Sequence, residues 1–238
     1  MKAMLYGIGL QFKMDIRSKT LLVTCYVVPL LFFIIMGSIF TSLMPEAKNT
    51  LIQSMTVMGV SMGSLIGVPP SIVETYSTNI KKMYISNGIP MYFSIVCLVT
   101  SSFIHLIIMS TIIFIVAPII FDANLPLDLP LYFITLVLFI IVSLAISCIL
   151  GLAVKNQAKL TMYSQIVFLP SIMLSGIMFS AELLPNFLES IGKLFPATWG
   201  YTLLIQKNID ICMFIPFMII LVIAILINMI LLKKIYSE

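Results

Sequence analysis

Six long apolar segments, joined by short polar connections, constrain this chain more than any other feature. They cover residues 20–41, 51–73, 91–120, 129–154, 160–179 and 212–232. A helix needs about 20 apolar residues to cross a bilayer core about 30 Å thick, and each segment has that length. Because lipid offers no water to bind exposed backbone groups, such segments must be helical. The sequence therefore predicts an all-α integral membrane protein with six transmembrane helices.

The distribution of positive charge predicts the orientation of these helices. Most of the cations lie on one set of connections and tails, namely Lys2, Lys13, Arg17, Lys19, Lys81, Lys82, Lys155, Lys159, Lys233 and Lys234. The other set holds only Lys48, Lys193 and Lys207. Cytoplasmic connections are enriched in Lys and Arg, so we expect both termini in the cytoplasm. The net charge of +4 comes from this arrangement and indicates no nucleic-acid partner.

The chain divides into an N-terminal segment, 1–19, and one membrane domain, 20–238. An apolar stripe at helical spacing in the first segment consists of Leu5, Ile8, Phe12 and Ile16. Together with the nearby cations, this stripe predicts an interfacial helix that lies along the cytoplasmic leaflet. The alternative is a plain positive flank of the first span.

The cytoplasmic connection between the second and third spans has its own helical pattern. Over 74–88, Tyr76, Ile80 and Tyr84 recur at a period near 3.6, and Asn87-Gly88 is a helix stop. This predicts a short amphipathic helix that carries Lys81-Lys82. Its apolar side needs either the bilayer surface or a groove on a partner protein, and the pattern leaves both open.

The connection before the last span also predicts a short helix, over 183–195, on the outer side. Its apolar positions at helical spacing are Leu183, Leu184, Phe187, Leu188, Ile191 and Phe195. Pro185 lies near the predicted start, and Pro196 is the predicted stop. We expect this helix to be tucked either into the outer membrane surface or into the mouth of a dimer.

Glycines and prolines mark the second and fifth spans. Gly59, Gly63 and Gly67 form a doubled G-x-x-x-G, which predicts close helix packing within the subunit or between subunits. Pro69-Pro70 interrupts the second span, and Pro170 with Gly176 interrupts the fifth. Breaks at matching positions in two three-helix halves are also a feature of secondary transporters, so an ion-coupled carrier stays an alternative.

The residue types that enzymes and metal sites need are scarce. The pattern G-x-S-x-G around Ser61 lies inside a predicted helix, whereas the hydrolase motif requires a strand-to-helix turn. His105 is the sole histidine, and no metal-ligand cluster accompanies it. It is either a functional intramembrane group or a neutral side chain bonded to a neighbouring helix. Gly192-Lys193 is followed by Leu194, so the chain contains no P-loop of its own.

Two stretches carry a family resemblance. One is Leu174-Ser175-Gly176-Ile177-Met178-Phe179, which continues through Leu184-Pro185 to Phe195-Pro196. The other is Glu74 followed by Lys81-Lys82-Met83 and Gly88-Ile89-Pro90. Together with the order of elements, they resemble the membrane subunit of the type-2 family of ATP-binding-cassette (ABC) exporters.

The resemblance implies a permease subunit that pairs with a second permease subunit, identical or different. Separate ATPase subunits would bind ATP and Mg²⁺, so this chain would hold no cofactor and would not itself be an enzyme. The ATPase-coupling residues would be Glu74, Tyr76, Ile80, Lys81, Lys82, Tyr84 and Gly88. The helix-packing and path residues would be Gly59, Gly63, Gly67, Pro170, Ser175 and Gly176. The outer re-entrant element would contain Leu184, Pro185, Phe187, Phe195 and Pro196.

The expected function is therefore that of an exporter permease in a bacterial cytoplasmic membrane. The apolar spans, with no acidic or basic residue in the middle of any of them, favour an amphipathic cargo: a peptide, a lipid-like compound or a drug. Besides the ion-coupled carrier, a non-transport membrane protein stays an alternative, as an immunity or sensor protein or an intramembrane enzyme.

Overall fold

The computed structural model describes residues 2–77, 79–178, 184–206 and 211–237, and these residues form helices and short connections without a strand. The helices are α1 (Lys2–Arg17), α2 (Lys19–Leu43), α3 (Leu51–Tyr76), α4 (Asn79–Ser86), α5 (Met91–Phe121), α6 (Leu129–Ala153), α7 (Gln157–Met173), α8 (Asn186–Gly192), α9 (Pro196–Ile205) and α10 (Ile211–Ser237). A 3₁₀ turn, Pro45–Asn49, joins α2 to α3. The prediction of an all-α membrane protein is confirmed.

Five of these helices, α2, α3, α5, α6 and α10, are long and apolar enough to cross a membrane. α7 has 17 residues, which gives a length of about 26 Å at 1.5 Å per residue. It ends at Met173, short of the predicted boundary at 179, and Phe179 lies outside the described residues. The sixth crossing and the orientation of the bundle stay predictions.

α3 is the central helix of the bundle. Of its most apolar stretch, 89% of the residues are buried within the protein, compared with 11% for α10. α2, α5, α6, α7 and α9 all pack around α3, whereas α10 lies at the periphery against α6 and α9. Asn228 ties α10 to α6 because its Nδ2 donates a hydrogen bond to the Ala145 carbonyl at 2.8 Å.

Two π-helical turns, Val23–Val27 in α2 and Gly63–Gly67 in α3, lie against each other. A π turn contains an extra residue and disturbs the α-helical hydrogen-bond ladder, which leaves carbonyl groups in need of donors. Here the Cys25 thiol donates to the Gly63 carbonyl at 3.8 Å, and Ser147 Oγ donates to the Ser64 carbonyl at 2.7 Å.

The predicted interruption of α3 at Pro69-Pro70 lies directly before the two prolines. The irregular turn comes first, at Gly63–Gly67, and Pro69 is the first residue of the α-helical segment Pro69–Ser77. A proline is tolerated in a first helical turn because its missing N–H has no partner there in any case. The helix is thus interrupted over Gly63–Gly67 and at the bend of Val68, directly before the two prolines that start the next segment.

α1 packs along α5, and its buried face differs from the predicted stripe. Ile8 and Phe12 are half-buried, but Leu5 and Ile16 are exposed. The face against α5 instead includes Gln11 and the carboxylate of Asp15, which is only 3% exposed. The stripe was predicted to face the membrane surface, and the position of α1 along the cytoplasmic leaflet stays a prediction.

The boundaries of the short helices also differ from the predictions. Within the predicted helix 74–88, Glu74 and Tyr76 belong to the helical segment Pro69–Ser77 and α4 covers Asn79–Ser86, while Thr78 between them lies outside the described residues. The predicted outer helix 183–195 is reduced to Asn186–Gly192, and Leu183 lies outside the described residues. Pro196 begins α9 and is not a stop. A proline fits both roles, because it ends one helix and starts the next equally well.

Candidate functional site

α4 forms a short helical bridge between the end of the central helix and the start of α5. The bridge ends in a tight turn in which Ile89 N donates to the Tyr84 carbonyl at 2.9 Å and Asn87 N donates to the Met83 carbonyl at 3.1 Å. Gly88 adopts a φ of +65°, a left-handed conformation that favours glycine. The helix stop predicted at Asn87-Gly88 lies at this turn.

The residues predicted to couple to an ATPase lie at the end of α3, on α4 and in the turn after it, and those described differ in exposure. Glu74 and Lys82 are exposed, and Tyr84 is half-buried. Tyr76 is buried, and its hydroxyl donates to the Met91 carbonyl, so it joins the two ends of the bridge. The side chains of Ile80 and Lys81 lie outside the described residues.

The three glycines of the second span each sit opposite a side chain of the same subunit. A Cβ on Gly59 would lie 2.7 Å from Met109 Cε, and one on Gly63 would lie 2.5 Å from Leu106 Cδ2. One on Gly67 would lie 3.0 Å from Cys25 Sγ. These approaches are intramolecular, between α3 and its neighbours α2 and α5, and a role in a path between subunits stays a prediction.

A cavity of about 950 Å³ lies at the end of the bundle opposite α4. Because the predicted orientation places this end outside the cell, we call it the outer cavity. The end of α2, the 3₁₀ turn, the start of α3, the turn after α7 and α9 form its walls. Ser175 and Gly176, two of the predicted path residues, line it. Gly176 has a φ of +86° and reverses the chain after α7. Pro170 lies one turn before the end of α7, where its carbonyl accepts from Leu174 N at 2.9 Å.

α8 covers the end of α7 beside this cavity. The backbone of Gly192 lies close to the Leu174 carbonyl, which would be 2.7 Å from an added Cβ. Thr198 Oγ1 donates to the Gly192 carbonyl at 2.6 Å, and Trp199 Nε1 donates to the Lys193 carbonyl at 2.7 Å. The segment that contains α8 is thus held to the start of α9 by two side-chain hydrogen bonds.

The residues predicted for this re-entrant element are distributed over its surface and its base. Pro185 and Phe187 are exposed, and Phe187 is 72% exposed. Leu184 and Phe195 are half-buried, and Pro196 is buried at the start of α9.

A polar cluster between α1, α2 and α5 was not predicted from the sequence. Ser101 Oγ donates to Asp15 Oδ2 at 2.5 Å, and Gln11 Nε2 donates to Asp15 Oδ1 at 2.8 Å. Tyr26 Oη shares a hydrogen bond of 2.7 Å with His105 Nδ1, and Phe12 stacks on the His105 ring at a centroid distance of 4.6 Å. His105 is therefore bonded to a neighbouring helix, which is one of the two predicted roles. One pattern in the sequence could have indicated this cluster: Gln11 and Asp15 are four residues apart, on the same helix face as Ile8 and Phe12.

The sequence that forms this helical bundle matches the model of a known protein family. The model of that family, described as ABC-2 type transporter, matches residues 8–208. The chain belongs to the ABC-2 type transporter family. No curated protein matches the chain significantly. The match covers α2 to α9 in full and most of α1, and it ends before α10.

Membership of the ABC-2 family confirms the resemblance deduced from the motifs. The chain is a multi-pass membrane protein and the permease component of an ABC transporter. Permeases of this family are transport components that operate with an ABC ATPase partner.

Proposed function

We propose that this ABC-2 permease is half of an ATP-driven exporter in a bacterial cytoplasmic membrane. Two permease subunits would enclose the path, and separate ATPase subunits would bind ATP and Mg²⁺ and dock on α4. The cargo would be amphipathic. The observation that carries the proposal is that α4, in a chain of this family, follows directly on the buried central helix.

The connection between α4 and α3 supports α4 as the site where ATPase closure enters the permease. The hydrogen bond from Tyr76 to the Met91 carbonyl fixes the two ends of the bridge to each other. A displacement of α4 is therefore passed to both α3 and α5. α3 has 26 residues, about 39 Å at 1.5 Å per residue, and its far end, with Leu51 and Ser54, lines the outer cavity.

The exposed face of α7 supports pairing with a second permease subunit. Thr161 and Gln165 are exposed on this helix, next to Met162 and Ile166. Polar side chains that face hydrocarbon are costly, and in membrane bundles they usually face another helix or a water-filled space. A second subunit against this face would cover both groups, and the path would then run beside α7.

The lining of the outer cavity supports an amphipathic cargo. Apolar side chains such as Phe40, Met44 and Ile177 form one part of the lining, and hydroxyl groups such as those of Ser54 and Thr202 form another. Its volume of about 950 Å³ lies at the upper end of the range for small-molecule sites. A molecule with one apolar and one polar side would pack against the apolar part of the lining and form hydrogen bonds with the hydroxyl part.

Charge reversal on α4 tests the docking of the ATPase. Lys81→Glu combined with Lys82→Glu should weaken binding of the purified ATPase partner about tenfold, since two attractive contacts become repulsive. The matched control is Lys2→Glu with Lys13→Glu on α1, which changes the net charge equally and should leave binding unchanged.

Two outcomes would contradict the proposal. If the α4 variant bound the ATPase as tightly as the parent, docking on α4 would be wrong. If the isolated permease moved solute into liposomes on an ion gradient alone, without any ATPase, the exporter proposal would be wrong and the carrier alternative would replace it.

A further inference from the structure

The outer cavity has a polar lining composed mainly of hydroxyl groups. The hydroxyl-bearing residues in that lining are Thr50, Ser54, Ser175, Thr198, Tyr201 and Thr202. A hydroxyl has one proton to donate and two lone pairs that accept. The direction of the hydrogen bonds that these groups already make therefore decides which ligand chemistry the cavity suits.

Most of these protons are already donated to backbone carbonyls of the protein. The four bonds are Ser54 Oγ to Thr50 O at 2.8 Å, Ser175 Oγ to Ile172 O at 2.7 Å, Thr198 Oγ1 to Gly192 O at 2.6 Å and Thr202 Oγ1 to Thr198 O at 2.8 Å. Ser54 Oγ also lies 3.4 Å from Tyr201 Oη, but its single proton is directed better at the closer carbonyl. These four oxygens can accept further hydrogen bonds but cannot donate to a ligand.

The charges around the outer cavity also favour a ligand that donates hydrogen bonds and carries positive charge. Among the described residues of the lining, Glu46 supplies a carboxylate and no Lys or Arg is present. The nearby cations of the described chain face other partners. Lys48 Nζ lies 3.8 Å from the Asp122 carboxylate, and Lys193 Nζ lies 2.8 Å from the Glu189 carboxylate. The cavity is thus rich in acceptors and bears a negative charge.

We propose that the outer cavity binds amphipathic molecules that carry a protonated amine. The ammonium group donates its N–H bonds to the hydroxyl oxygens and is attracted by Glu46, while the apolar part lies against Phe40, Met44 and Ile177. Anionic amphiphiles are disfavoured, because four of the six hydroxyl groups have no proton left to donate to them and Glu46 repels their charge. The inference rests on the proposed function and narrows its cargo to cationic amphiphiles.

The test measures binding of three ligands with the same alkyl chain to the full-length permease in nanodiscs of zwitterionic lipid. Decylammonium carries both charge and N–H donors, decyltrimethylammonium carries charge without N–H donors, and decanesulfonate carries the opposite charge. Trp199 is the sole tryptophan of the chain and adjoins Thr198 of the lining, so its emission reports occupancy.

Decylammonium should bind saturably and about tenfold more tightly than decanesulfonate, and decyltrimethylammonium should lie between them. Glu46→Gln should weaken decylammonium binding about threefold because Glu46 is exposed, and salt should reduce the difference. Thr202→Val, which removes an acceptor and keeps the shape, should weaken decylammonium more than decyltrimethylammonium. Asp128→Asn removes a carboxylate at the same end of the bundle but outside the cavity, keeps an oxygen to accept from Leu131 N, and should change nothing.

Equal affinity for decylammonium and decanesulfonate, or a preference for the sulfonate, would overturn the inference. A second result would also overturn it. If the parent protein prefers decylammonium but Glu46→Gln and Thr202→Val leave the affinities for all three ligands unchanged, the binding site lies elsewhere. The assay contains no ATPase. A permease that binds the amine but not an ATPase would refute only the proposed function, and one that couples to an ATPase without preferring the amine would refute only this inference.

Discussion

The packing of α6 against the central helix makes a quantitative prediction for glycine-to-alanine substitutions. A Cβ on Gly151 would lie 2.6 Å from Ile72 Cβ and 2.8 Å from its Cγ2, whereas ordinary contacts begin near 3.4 Å. Ile72 is fully buried, and a β-branched side chain has little freedom at χ1. The two helices must therefore separate by several tenths of an ångström or more to admit a methyl group.

The expected cost follows from two opposing effects. Overpacking of a well-packed core costs about 1–3 kcal/mol, and replacing glycine by alanine in a helix returns about 1 kcal/mol of helix propensity. At the rigid Gly151 site we take the upper figure, which gives a net destabilisation of about 2 kcal/mol. Gly59 faces the flexible end of Met109, so Gly59→Ala should be near neutral. Gly9 on α1 has no atom within 4 Å, so Gly9→Ala should stabilise the protein slightly.

Thermal unfolding in detergent, followed by circular dichroism at one fixed scan rate, measures this order. For a chain of this size about 1 kcal/mol shifts Tm by about 2–4 °C, so Gly151→Ala should lower Tm by about 4–8 °C. Gly59→Ala should stay close to the parent, and Gly9→Ala should equal or exceed it. A Gly151→Ala protein that melts with or above the parent, while Gly9→Ala behaves as expected, would show that α6 and α3 do not approach this closely.

Two further predictions concern buried hydrogen bonds. Ser147→Ala removes the donor to the Ser64 carbonyl in the π turn and should cost about 1–3 kcal/mol, measured as a lower Tm, whereas Ser38→Ala on an exposed face of α2 should cost almost nothing; equal melting of the two variants would contradict the role of Ser147. Asp15→Leu leaves Ser101 and Gln11 without their acceptor and should destabilise the docking of α1, seen as faster proteolysis of the N-terminal segment, whereas Asp15→Asn keeps an acceptor and should be milder. Identical cleavage of both Asp15 variants and the parent would contradict that contact.

The membrane spans could be predicted from the sequence because their cause is local. The bilayer sets a minimum apolar length, and the structure describes five helices that meet it within a few residues of the predicted bounds. The end of α4 could also be predicted, because the turn after it requires a left-handed backbone conformation and glycine at position 88 adopts that conformation easily. The close approaches at Gly59, Gly63 and Gly67 follow from a spacing that places all three on one helix face.

Features that depend on distant parts of the chain could not be predicted. Ser147 and the Ser64 carbonyl that it satisfies are 83 positions apart, and Asp15 and Ser101 are 86 positions apart. No local pattern distinguishes such a donor from any other serine in an apolar helix. The same reason hides the buried face of α1, which is determined by α5 and not by its own periodicity. The outer cavity, too, takes its walls from separate stretches between Phe40 and Ile205.

The burial of α3 determines what kind of motion a push on α4 can produce. A helix enclosed by α2, α5, α6, α7 and α9 of its own subunit cannot slide alone without breaking close contacts such as that between Gly63 and Leu106. Its π turn is also held by donors from two neighbouring helices, Cys25 and Ser147, which oppose a change of register. Displacement of α4 is therefore expected to tilt the bundle as a nearly rigid body. A second subunit against the exposed, partly polar face of α7 would then meet a surface that moves with the bundle.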